Sequence, residues 1–151
     1  MFILHVAGDN HPIAAMVPEG VGQISKRLAP RGHEVHVATI WPPWSWARGL
    51  STGSYVHRFK VEGGGTLMPR GDIDGYLDFV RSRPWNVIVM HCARVWLTDM
   101  LLPHVGELKS AVIFVGDGLL ALDQPAHAAY WSWFAASLQC VDAGTSLSPL
   151  F

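Results

Sequence analysis

Charge is scarce in this sequence: Asp, Glu, Lys and Arg make up 15% of its 151 residues, against about 25% in a typical soluble domain. Basic residues are not in excess either, since 11 Lys and Arg face 12 Asp and Glu, so there is no polybasic footprint for nucleic acid. Cys92 and Cys140 are the only cysteines. Without a CxxC or Cys/His finger spacing they form no zinc-finger pattern, and they fit a reduced, cytoplasmic protein. No apolar run approaches the roughly 18 residues that a membrane span needs, and the apolar start at residues 1–6 is too short for a signal peptide and lacks its basic segment. The Walker Gly-x4-Gly-Lys-Ser/Thr, Gly-x-Ser-x-Gly and His-Glu-x-x-His patterns are all missing. A dinucleotide fingerprint close behind the first strand is missing too, which weakens a nicotinamide reading.

What is present is apolar and punctuated. Half of the chain is hydrophobic, with seven Trp, 15 Gly and 10 Pro, enough for one core and too little for two full domains. Residues 2–6 read as a buried strand, followed by a loop to about residue 18. Val21, Ile24 and Leu28 recur at helical spacing up to Arg31-Gly32. Residues 33–40 alternate as a strand, 41–46 form a Trp- and Pro-rich loop, and 55–61 form a third strand before Gly63-Gly64-Gly65. Ile73, Leu77 and Val80 space a helix that ends before Pro84. Residues 87–90 are a strand leading into His91, 95–108 are helical with a kink at Pro103, and 111–115 are a fifth strand. A helix over 124–138 and a short strand over 141–146 complete the series. Strands alternating with helices predict a Rossmann-like, doubly wound α/β domain, its mainly parallel sheet of about six strands covered by helices on both faces.

Ligands of such sheets bind outside the carboxyl ends of the strands, where strand order reverses. Asp9 and Asn10 follow the first strand, Trp41 and Trp44 the second, His91 the fourth and Asp117 the fifth. Glu19-Gly20-Val21-Gly22 is expected at a helix N-terminus, where free N–H groups would receive a phosphate. His91 ends a buried strand on the side where sites form. His5 and His57, inside strands, read as satisfied structural residues, and the eight histidines show no ligand spacing, so no metal is expected. Trp41, Trp44 and Trp46 are suited equally to stacking on a sugar, to a membrane interface, to a domain joint or to packing over the sheet edge.

The segments MFILHVAGDNHP, EGVGQISKRLAPRGHEVHVATI, YVHRFKV, NVIVMH and VDAGTS, in that order, resemble the N-terminal half of a GT-B glycosyltransferase of the family 4 type. The resemblance spans nearly the whole chain, and RGHEVHVAT is its most specific part. It implies the acceptor-side domain of a retaining, metal-independent enzyme without a cofactor, the donor-binding C-terminal domain being absent. Gly20 and Gly22 would then approach the donor diphosphate, with Glu19 where the family usually has glycine. His91 would be the catalytic histidine near the transferred sugar, while Asp9, Asn10, Trp41, Trp44 and Asp117 would meet the acceptor. The implied partners are a nucleotide-sugar donor, a sugar or lipid-linked acceptor and the missing domain, with a homodimer through exposed apolar surface and peripheral contact at the inner face of the membrane as further expectations. The family's Glu-x7-Glu pair has no counterpart among Glu19, Glu34, Glu62 and Glu107, so the chain alone is expected to be inactive. The alternative is a free-standing α/β module that binds a small ligand or a partner without catalysis. A divergent nicotinamide-binding half is a third reading.

Overall fold

A computed structural model describes residues 1–8, 16–41, 53–62, 70–116 and 127–145 of the chain. Its frame is six strands: β1 (Phe2–Val6), β2 (Glu34–Ile40), β3 (Tyr55–Phe59), then β6 (Val87–His91), β7 (Ala111–Val115) and β8 (Ala143–Thr145). All of the pairings among them are parallel, in the order β3-β2-β1-β6-β7-β8. Strands covered on both faces need no polar alternation, which is why β7 reads as a continuous apolar run and β1 as one interrupted only by His5. The remaining two strands, β4 (Val61–Glu62) and β5 (Arg70–Gly71), form a separate antiparallel pair. A single strand over 55–61 was expected. Instead the chain breaks at Lys60, whose carbonyl accepts the Asp72 N–H at 2.9 Å. Gly71, at φ 108°, crosses that carbonyl so closely that a side chain there would overlap it.

The helices are α1 (Met16–Leu28), α2 (Ile73–Arg81), α3 (Trp96–Leu101) and α4 (Ala128–Ser137). After α1 one 3-10 turn, Ala29–Arg31, closes on Gly32 in the left-handed conformation, φ 80°. Helix α2 buries Tyr76, Leu77 and Val80 on one side, the stripe that its spacing predicts. The expected helix over 95–108 changes character at Pro103: α3 gives way to a 3-10 segment, Leu102–Glu107, with the proline in its first turn. A proline there has no N–H for the α ladder, and the tighter winding accommodates it.

The two faces of the sheet are covered unequally. On one, Leu4, Val6, Ile88, Met90, Val112 and Phe114 pack with α2, α3 and α4 through Tyr76, Leu97, Leu101 and Phe134. On the other, Ala7 and Val37 meet Val21 of α1 in a smaller cluster with Cys92 and Val95. Helices therefore lie on both faces, as expected, but on the α1 side Val87, Val89 and Ile113 are only half-buried.

Candidate functional site

The strand order reverses between β1 and β6, because the chain moves outward to β2 and β3 on one side and to β7 and β8 on the other. The crevice at the carboxyl ends of these two central strands is where a doubly wound sheet receives its ligand. His91 is the last residue of β6 and is only 5% exposed. In the β1–β6 register His5 faces Val89, so His5 and His91, an even number of residues further on, point from the same face. Their rings stack, with centroids 5.2 Å apart, and His5 Nδ1 lies 2.9 Å from His91 Nε2. Burial pushes the His5 imidazole down to about 4. Burial, then the neighbouring His5, pushes His91 down to about 3. At neutral pH the pair is uncharged, joined by one N–H···N hydrogen bond.

Four buried side-chain nitrogens among the described residues have no hydrogen-bond partner: His5 Nε2, His91 Nδ1, Arg58 Nε and Trp96 Nε1. Each comes from the carboxyl half of the sheet or the turn beyond it. His5 and Arg58 are next to last in β1 and β3, His91 ends β6, and Trp96 opens α3. A buried polar atom left unpaired costs about 1–3 kcal/mol. Of the four nitrogens, His5 Nε2 and His91 Nδ1 flank one hydrogen bond at the reversal of strand order and mark a place that a polar ligand would complete.

The backbone behind His91 is held in an unusual shape. Cys92 and Arg94 both have positive φ, 62° and 61°, and non-glycine residues in such conformations cluster at functional sites. Several bonds impose it. The Cys92 N–H donates to Val115 O at 3.0 Å, and Thr98 Oγ1 donates to His91 O at 3.1 Å. The Arg94 N–H donates to Tyr130 Oη at 2.7 Å, and that hydroxyl donates to Asp99 Oδ1 at 2.8 Å. Burial pushes the Asp99 carboxyl up to about 6, and burial together with Asp99 raises the Tyr130 hydroxyl above its ordinary range. Across the crevice, Gly8 meets Val95 so closely that any side chain at position 8 would overlap the valine methyl.

Gly20 and Gly22 are not at a helix N-terminus. Helix α1 begins by Met16, and only the first four N–H groups of an α-helix are free. Both glycine amides therefore lie in the ladder, one turn too late to receive a phosphate. Pro18 explains the shift, because a proline in the first turn forfeits an N–H that the helix does not use. Gly20 is exposed, with no atom near enough to exclude a side chain. Trp41 follows β2, its N–H donating to Phe59 O at 3.0 Å, and is 50% exposed at the carboxyl edge. Asp9, Asn10, Trp44 and Asp117 lie outside the described residues.

His5 was expected to be a satisfied structural residue. It is half of the pair, and the hint in the sequence was its place one residue from the end of the first strand. Arg58, Trp96 and the Asp99–Tyr130 contact carried no sequence signal. His57 is bonded, through its Nε2, 2.8 Å from His36 Nδ1. An open groove of about 390 Å³, lined by Ala29, His33, Glu34 and Tyr55 among others, lies at the amino ends of β2 and β3, away from the unpaired nitrogens and the strained turn. We place the site at the carboxyl ends for that reason. Among the described residues no three His, Cys, Asp or Glu side chains gather closely enough to hold a metal ion, and no helix is long and apolar enough to cross a membrane. No family model and no curated protein matches the sequence.

Proposed function

We propose that the chain is the acceptor-side half of a retaining, metal-independent glycosyltransferase, and that a neutral, hydroxyl-bearing ligand occupies the crevice between β1 and β6. One observation carries this reading: His91 ends the central strand β6 at the reversal of strand order, buried, with an unpaired ring nitrogen. An uncharged imidazole offers one hydrogen bond to a hydroxyl and no charge to a phosphate. The placement of Gly20 and Gly22 inside α1 supports a role on the acceptor side rather than as the cradle of a diphosphate.

In the transfer, the bond from the sugar C1 to the phosphate oxygen breaks, a bond from C1 to the acceptor oxygen forms, and the acceptor hydroxyl proton passes to the departing diphosphate. Charge develops on the departing diphosphate, and its stabilisation needs aimed donors or cations. The sequence has no glutamate with another eight positions later to supply the family's pair. The contribution left to this chain is orientation of the acceptor and exclusion of water around His91. A peripheral membrane contact or a nucleotide-sugar donor belongs to the same proposal and would act through the other half.

The test is to incubate the purified chain with UDP-glucose or GDP-mannose and methyl α-D-glucopyranoside, and to measure nucleotide release together with saturation transfer to the glucoside. No release is expected, while the saccharide contact is lost in His91→Ala. Nucleotide-sugar turnover by the chain alone, or a saccharide contact that His91→Ala leaves intact, overturns the proposal.

A further inference from the structure

We propose that His5 is a positioning residue for His91 and that the two form a dyad of reversible polarity, able to present either an N–H or a lone pair to a ligand hydroxyl at His91 Nδ1. The geometry carries this. The rings share one hydrogen bond, His5 Nδ1 to His91 Nε2 at 2.9 Å, and both outer nitrogens are buried without a partner. Two neutral imidazoles joined in this way hold three N–H or lone-pair decisions that are coupled. When His5 Nδ1 carries the shared proton, His91 Nδ1 carries an N–H and His5 Nε2 a lone pair. When His91 Nε2 carries it, His91 Nδ1 has the lone pair and His5 Nε2 the N–H.

Passing from the second arrangement to the first adds one proton at His91 Nδ1, moves one from His91 Nε2 to His5 Nδ1, and removes one from His5 Nε2, which exchanges with water only while the buried rings are transiently exposed. One proton crosses the dyad and its charge does not change. A ligand hydroxyl therefore finds a donor or an acceptor at His91 Nδ1 as its own orientation demands. Among the described residues no other side chain bonded to either ring dictates one arrangement, since neither outer nitrogen has a partner there.

The contrast with the second histidine pair shows what fixes a tautomer. His36 Nε2 lies 2.8 Å from Glu34 Oε1, a carboxylate that only accepts. A neutral His36 must then keep its proton on Nε2 and accept from His57 Nε2 through Nδ1. Among the described residues no such anchor meets His5 or His91.

The dyad itself stands on the geometry, and its ligand class rests on the acceptor-side reading, so the experiment separates them. Histidine-labelled 151-residue chain, without ligand, is examined by long-range 1H–15N NMR. The expected result is that the two ring nitrogens of His91 are averaged between protonated and unprotonated positions, separated by less than about half the splitting seen at His36. His5→Phe removes the partner of His91 Nε2 and should shift the averaged His91 nitrogen signals, and His5→Asn, whose amide can donate or accept, should restore them. A fully split His91 in the unmutated chain overturns the dyad, a measurement that needs no variant to fold. Methyl α-D-glucopyranoside is expected to shift the averaged signals and inorganic phosphate to leave them alone. Averaging with no response to the glucoside, or with a response to phosphate only, overturns the ligand class and keeps the dyad. A saccharide response on a fully split His91 does the reverse.

Discussion

Two histidine pairs stand on this sheet at nearly the same internal distance, 2.9 Å for His5–His91 and 2.8 Å for His36–His57, and they differ in what surrounds them. The pair on β2 and β3 is closed by Glu34 and by aromatic rings: His36 stacks on Tyr55 and meets the edge of Trp85, and His57 packs against Phe79. Among the described residues, nothing closes the pair on β1 and β6 at either outer nitrogen. Both pairs are stacked and hydrogen-bonded, but His36 has both ring nitrogens bonded, whereas His5 and His91 each keep a buried nitrogen without a partner among the described residues. A hydrogen-bonded, stacked cluster raises stability, whereas two unpaired nitrogens cost it, and proteins keep such costs where a ligand repays them.

The largest effect that tests this contrast is acid destabilisation. Unfolded histidine titrates near 6.5, while folded His5 and His91 are pushed down to about 4 and about 3. The unfolded chain therefore takes up protons first. The stability is present above pH 6.5 and is lost as pH falls through the folded values, at up to about 1.4 kcal/mol per pH unit for each histidine. His57, pushed down to about 4 by burial, His36 and Arg83, works in the same direction. Asp99, raised to about 6, works in the opposite one, holding its proton better when folded. Urea midpoints measured from pH 7.5 to 4 should fall steeply, and the slope should flatten in the double variant His5→Leu, His91→Leu. An unchanged slope would place the titration elsewhere.

At pH 7.5 the two pairs should respond unequally to removal. His36→Ala takes away a buried ring, its two hydrogen bonds and its stacking, and should lower unfolding stability by about 2–4 kcal/mol. Replacing both His5 and His91 by Leu removes the unpaired nitrogens together with the bond between them, and should change stability by no more than about 1 kcal/mol. Equal losses in the two unfolding curves would erase the distinction between the anchored pair and the open one. The smallest effect concerns Gly20. Gly20→Ala in the interior of α1 should stabilise the chain by about 0.5–1 kcal/mol in the same assay. A loss there would reveal a close approach that α1 does not display.

The fold was legible because each of its signals is local. The bounds of β1 and β7 follow from apolar runs, the end of α2 from Pro84, and the change of winding after α3 from Pro103. The position of His91 at the end of a central strand was legible for the same reason. Its partner was not. His5 is 86 residues away, and only the register of β1 on β6 shows that the two rings share a face. The start of α1 was misplaced because Pro18 looks like a boundary and is in fact a tolerated first-turn residue. The Asp99–Tyr130 link joins α3 to α4, and neither residue belongs to a pattern that periodicity detects.

The contact between Gly8 and Val95 has a consequence for how this chain is able to evolve. The two positions are tied in a one-way epistatic relation: a side chain at position 8 becomes acceptable only after position 95 has been trimmed. Trimming alone opens a hole beside Cys92, at the start of the turn that carries His91. A lineage leaving this arrangement must pass through a worse-packed intermediate or change both codons together. The roof of the crevice is therefore harder to alter by single steps than the exposed helix faces around it, and this resistance comes from an atom that is not there.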